Sequence, residues 1–370
     1  MRIPERSKVF LFVALILFGG IFWSSTPIYA AAFDIGCSTP DLIAAVTTAN
    51  SNAQSDTINL TGGCTYTLSS RLAINADGGN QLTINGNGAI LTVSGARGIM
   101  GIAFGANAVI NSLTFRDGNA DNFAGADSDF AGAIMNTGTL TVNGSYFLNN
   151  HSVNLGGAIF NQGTLNVNGS TFSGNSSFYG GAIEGQGGPI TIINSTFTGN
   201  SVSGGGSGGG AIDNTGDLLT IINSTFSGNS GLAADVLFNG NGGSLLNSIL
   251  ASSGACMKPT GLAITVTNSY VNGGTCGVSN GVNGNLTSGT LNLGSLTGFP
   301  PYFIPGSGSV AINAGSIALI PGGVTTDQRG NPRNLGGSPD MGSIETGAVL
   351  PTITFSGGGI ISEGGSTTFT

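Results

Sequence analysis

The sequence predicts an all-β chain, a right-handed single-stranded parallel β-helix with a short N-terminal capping helix. Three observations lead there. The first is composition. Gly supplies 66 of 370 residues and Asn 37, while charged residues make up 7% where roughly 25% is usual. With only four Glu and two Lys, the charged side chains that best support helices are nearly missing. That excludes helical bundles, coiled coils and doubly wound α/β folds. Gly without a three-residue period excludes collagen, and 39% hydrophobic residues exclude an expanded disordered chain.

The second observation is repetition. Gly-Ala-Ile recurs at Gly132, Gly157, Gly181 and Gly210, and Phe-x-x-Asn recurs out of phase at Phe147, Phe172, Phe197 and Phe226. The phenylalanines stand 25, 25 and 29 residues apart. The longer step coincides with the Gly/Ser insert from Ser203 to Gly209, which behaves as a loop hanging from a fixed rung. The third observation lies inside one period: three short alternating runs, each closed by Asn or Gly, which read as strands and turns. Such runs are too short to stand alone. Stacked on copies of themselves they make three parallel sheets with rungs about 4.8 Å apart. Leu165, Val167 and Phe172 then point inward above Leu140, Val142 and Phe147. Asn150, Asn175, Asn200 and Asn229 line up at one corner, where their amides bond from coil to coil and satisfy turn backbone.

In chain order, residues 1–30 read as a secretory signal peptide. Arg2, Arg6 and Lys8 precede the fifteen-residue apolar run Val9 to Trp23, and small residues follow. The run falls short of the roughly 20 residues a spanning helix needs, and no second run of spanning length appears before Thr370. Removing the signal takes away those three basic residues and Glu5, moving the formal charge from −8 to −10. Such a chain repels nucleic acid and offers nothing to an anionic membrane. The cysteines fit an oxidising compartment. Four allow three pairings, and Cys37–Cys64 with Cys256–Cys276 close the shortest loops. His151 is the sole histidine, and the absence of C-x-x-C spacing speaks against zinc.

Residues 33–70 read as the lid that a solenoid's first coil needs. Asp41 to Asn50 is a helix with Leu42, Ile43 and Val46 on one face behind an N-cap Asp. Residues 71–298 hold the solenoid, with room for about nine coils from Leu72 to Leu293 at this period. Residues 299–346 form a closing segment in which Asp327, Arg329, Arg333, Asp340 and Glu345 pair charges at the C-terminal end. Residues 347–370 read as the opening of a truncated β-type module or a linker.

These motifs carry resemblances. Gly-Gly-Ala-Ile with Phe-x-x-Asn over residues 131–230 resembles the repeats of the chlamydial polymorphic outer-membrane proteins, surface β-helix adhesins. Cys37 with Asp41-Leu42-Ile43-Ala44-Ala45-Val46 partly resembles the N-terminal segment of exported bacterial β-helix proteins. Ser309 to Gly315, Asp327-Gln328-Arg329-Gly330, Arg333 and Asp340 to Glu345 resemble the choice-of-anchor Q domain. The resemblance implies a pectin-lyase-like solenoid at the cell surface.

Candidate chemistry is sparse. The residue after Ile in each period is Met135, Phe160, Glu184 or Asp213, a position that reads as outward-facing. Glu184 and Asp213 on adjacent rungs would lie about 5 Å apart, near the separation of retaining glycosidases, with one pKa raised by the other charge. Plain surface charge is the simpler reading. Asp117, Asn119, Asp121, Asp127 and Asp129 form an acidic loop whose spacing suits Ca²⁺, and Arg116 beside it would complete a lyase-like set; a solvated loop is the simpler reading here as well. No other cofactor is indicated. His151 reads as a turn residue outside any Ser/His/Asp triad, and Gly204 to Gly210 lacks the Lys-Ser/Thr of a phosphate loop. The expected function is a non-catalytic extracellular adhesin or spacer touching a polysaccharide or a neighbouring cell surface. A polysaccharide lyase or glycoside hydrolase is the alternative.

Overall fold

The computed structural model describes residues 30–121, 130–203, 208–335 and 337–346. Residues 1–29 of the expected signal peptide, Asp127, Asp129, most of the Gly/Ser insert and the segment 347–370 lie outside them. The chain is a parallel β-solenoid of about nine turns, with every strand-to-strand ladder parallel. Sheet A has ten strands, from Ala32–Ile35 and Asp56–Leu60 through Thr139–Asn143 and Thr164–Asn168 to Ile264–Thr267. Sheet B has nine, from Thr65–Leu68 to Tyr270–Val271, and sheet C eight, from Leu72–Ile74 to Cys256–Met257. A fourth, two-residue-wide row, sheet D, joins Asn119–Ala120, His151–Ser152, Ser176–Ser177 and Ser201–Val202. Each central coil runs A, B, D, C.

The stacking follows the repeat. Leu140 pairs with Leu165, Val142 with Val167 and Phe147 with Phe172, and all six are fully buried. Phe115, Phe147, Phe172, Phe197 and Phe226 form one interior column with ring centroids 4.4–4.9 Å apart and planes within 7° of parallel. Offset-stacked rings at that distance add to the burial of their area. The Asn corner forms as expected. Asn175 Nδ2 donates to Asn200 Oδ1 at 2.8 Å and to the Phe147 carbonyl at 3.1 Å, while its Oδ1 accepts from the Asn150 backbone N–H. Each buried amide thus bonds backbone on both sides of the corner, including the Asn150 N–H at the end of the strand.

Two further ladders are present. Ser145, Ser170, Ser195, Ser224, Ser248 and Ser269 run up the turn between sheets A and B, each accepting from the backbone N–H of its counterpart, or of Leu113 in the case of Ser145. The residue before each serine has positive φ: Gly144, Gly169, Asn194, Asn223, Asn247 and Asn268. Gly and Asn tolerate that conformation best, which is why the chain uses Gly at the first two positions and Asn at the next four. The glycine of Gly-Ala-Ile has a different reason. A Cβ on Gly157 would stand 2.1 Å from the Gly181 carbonyl oxygen and 2.6 Å from the Ser176 nitrogen, so the backbone crosses where only hydrogen fits.

The N-terminal segment differs from its expectation in detail. The helix is Thr39–Ala49, its N-cap is Ser38 and Asp41 sits in the first turn. Leu42, Ala45, Val46 and Ala49 are buried against strands of all three sheets, whereas Ile43 is exposed. Both disulfides form, Cys37–Cys64 and Cys256–Cys276, with Cα atoms 5.3 and 5.4 Å apart.

Residues 299–346 lie along the flank of sheet B between Tyr146 and Asn247, where a closure of the open end is the expectation. Gln328 donates to Thr171 Oγ1, Arg333 to Asn194 Oδ1 and the Asn223 carbonyl, and the Ser343 N–H to Thr225 Oγ1. Phe299 meets Tyr146 edge-on. Of the expected ion pairs among the described residues, Arg329–Asp327 is in direct contact at 2.7 Å, and the charges of Glu345, Asp327 and Asp340 offset the burial of Arg333. Asp340 and Glu345 instead accept backbone N–H groups of Asn313 and Asp340, because the irregular chain has orphan amides to satisfy.

Candidate functional site

Register places Glu184 directly beside Asp213 on sheet C, with Asp235 on the next strand, Ala234–Phe238. The position is not on the surface: Phe160, Glu184 and Asp213 are 2, 2 and 3% exposed. The turns leading into sheet C fold over its outer face and form a second apolar layer of Phe130, Ala131, Leu155 and Tyr179 around Phe160. Over the acidic rungs the cover is Tyr179, Gly180 and Gly208, packed so closely that a Cβ on Gly208 would meet Asp213 Oδ2 at 3.1 Å. Tolerance of both Phe and Glu at one position reflected this cover rather than exposure to water.

Burial sets the electrostatics. Desolvation, with the Asp213 charge second, pushes Glu184 up to about 9. Desolvation also pushes Asp213 and Asp235 up to about 6 each. The neighbours that offset this are neutral: Gln186 Nε2 donates to Glu184 Oε1 at 3.1 Å, and Asn239 bonds Asp213. Glu184 Oε2, Asp213 Oδ1 and Asp235 Oδ2 have no hydrogen-bond partner. A protonated Glu184 beside Asp213 is the arrangement like charges adopt when only one can ionise.

The acidic loop is split by its partners. Asp117 pairs with Arg116 at 3.1 Å, and Asp121 with His151 Nε2 at 3.2 Å. The Asn119 backbone donates to the Arg97 carbonyl. Among the described residues no three of His, Cys, Asp and Glu converge as a metal would require. His151 lies in sheet D, not in a turn, and its Nδ1 stands 2.8 Å from Ser176 Oγ. Sequence reasoning missed this Asp121–His151–Ser176 line because the three belong to successive coils and meet only through the stacking. It lacks an oxyanion device from its own backbone: the Ser176 N–H is bonded to the Asn150 carbonyl and the His151 N–H to that of Gly118, whereas acyl transfer needs donors free to meet a developing charge.

Open surface concavities lie elsewhere. One of about 430 Å³ lies between the helix and sheet C, lined by Ile43, Asn50, Arg71 and Asn75. Another of about 500 Å³ lies at the corner from sheet C to sheet A, lined by Phe104, Asn107, Thr139, Gln162 and Thr164 and by no ionisable residue.

Among the described residues no helix is long and apolar enough to cross a membrane, and the two disulfides fit an extracytoplasmic, oxidising compartment. The chain matches no family model and none of the curated proteins.

Proposed function

We propose that this chain is a non-catalytic, exported surface scaffold of the adhesin type, which holds a long polar face against a glycan or a neighbouring cell surface. The observation that carries the reading is the burial of the acidic pair. Glu184 and Asp213 sit beneath a packed turn with neutral amides for partners, where a general acid or base must reach its substrate. The resemblance of the coils to chlamydial surface adhesins, and of the flank segment to choice-of-anchor Q, supports surface display. The low charge suits wet, weak, repeated contacts that gain strength through multivalency. A glycan array on the chain with and without Ca²⁺, together with turnover of polyuronides, tests the reading. Retention without turnover is expected. Calcium-dependent 4,5-unsaturated products would overturn it in favour of a lyase.

A further inference from the structure

The three long faces of the solenoid differ in what covers them. Sheet B carries residues 299–346 on its flank, and sheet C carries its own turns over the middle coils. The outward side chains of sheet A are largely half-exposed, and from Gln81–Asn85 to Ile264–Thr267 its strands contain no Asp, Glu, Lys or Arg. Register lines up one central outward residue per coil, from Thr57 through Thr141 and Thr220 to Thr265. Only Val109 and Asn166 in that row lack a hydroxyl. Beside it, Asn59, Asn85, Asn111, Asn143 and Asn168 form a ladder, each Asn Nδ2 from Asn85 onward donating to the Oδ1 of the coil before at 2.8–3.0 Å. A primary amide has two N–H groups and two acceptor sites, so each of these five coils keeps donor and acceptor capacity for a partner, while on the coils above the same row runs Ile193, Ile222, Leu246 and Thr267.

The array repeats along the solenoid axis at the strand spacing of about 4.8 Å. It is uncharged, so it selects against polyanions and polycations, and its central row has no aromatic or Arg anchor of the kind that dominates protein interfaces. A partner that uses every rung must itself be periodic, neutral and rich in hydroxyls. We infer that the outer face of sheet A binds an extended neutral polysaccharide laid parallel to the solenoid axis, its hydroxyls exchanging hydrogen bonds with the Thr row and the Asn ladder. This rests on the scaffold reading and adds the face, the direction and the ligand class.

The test is co-sedimentation of the full chain with insoluble neutral β-glucan and, separately, with polygalacturonate, at low and high salt. It is run on the wild type, on the triple variant Thr141→Val, Thr191→Val, Thr220→Val, and on Ser176→Ala as a control from another face. Val keeps the shape and strand preference of Thr while removing the hydroxyl; unchanged thermal unfolding confirms that the fold is intact. Expected are salt-insensitive retention on the neutral polymer, a loss of about tenfold in the triple variant, as for removal of several weak contacts in series, and no change in Ser176→Ala. Equal retention of the triple variant overturns the face assignment, retention on polygalacturonate alone overturns the neutral ligand class, and either leaves the scaffold reading standing. Retention on neither polymer overturns the ligand class. If ice recrystallisation is then inhibited by the wild type and not by the triple variant, the array is matched to the water lattice instead.

Discussion

The buried polar side chains of the coils between Ala131 and Ser230 recur at fixed offsets, whereas those of residues 299–346 are each used once. Asn150, Asn175, Asn200 and Asn229 do one job four times. Gln328, Arg333, Asp340 and Glu345 each bond a different partner. Both regions satisfy orphaned backbone. The coils do it through translation, so one solution serves every rung and each coil leans on its neighbours. The flank segment does it through side chains fitted to particular carbonyls and amides.

The contrast is sharpest in the Phe column. Phe172→Ala opens a cavity between two stacked rings and is expected to destabilise the solenoid by about 3–5 kcal/mol, measured by denaturant unfolding. Loss of cooperativity should extend to the coils above and below. Next is Asn175→Ala, which strands the Asn150 N–H groups that it served. A loss on the order of 3 kcal/mol is expected, since each buried orphan costs about 1–3 kcal/mol. Arg333→Met removes charge-assisted bonds to Asn194 Oδ1 and the Asn223 carbonyl, worth about 1.5–3 kcal/mol. The expected result is faster proteolysis within 299–346 with unchanged hydrogen exchange in the Phe column. Slowed exchange everywhere, or loosening of the column, would erase the distinction between the two regions.

A separate test is of pH dependence. Glu184 is held at about 9 against an ordinary 4.5, so between those values the unfolded chain has lost a proton that the folded chain keeps. Stability is therefore full below about pH 4 and falls as pH rises toward 9. Asp213 and Asp235 add to the slope between about 4 and 6. Calorimetric Tm across pH 4–9 should decline in the wild type, whereas in Glu184→Gln the decline should stop above about pH 6, where Asp213 and Asp235 have titrated.

The coils were legible in the sequence because a translation repeats its marks. Leu140, Val142, Phe147 and the Asn corner follow from spacing alone. The serine ladder was equally available in the recurring Ser before Tyr-Phe or Thr-Phe, such as Asn223-Ser224-Thr225-Phe226, yet Ser after Asn or Gly also reads as an ordinary turn. The burial of Glu184 was not legible, since it depends on Tyr179 and Gly208 folding over the sheet. The flank segment was misplaced for a related reason: its contacts reach coils more than a hundred residues earlier, and no local pattern records them.

Because residues 299–346 touch Tyr146, Thr171, Asn194, Thr225 and Asn247 on five successive coils, they act as a ruler laid against the tower. A duplicated or deleted storey below Tyr146 leaves that ruler in place. The same change between Tyr146 and Asn247 puts its graduations out of step with the floors they mark. The molecule can therefore vary its height freely at one end only.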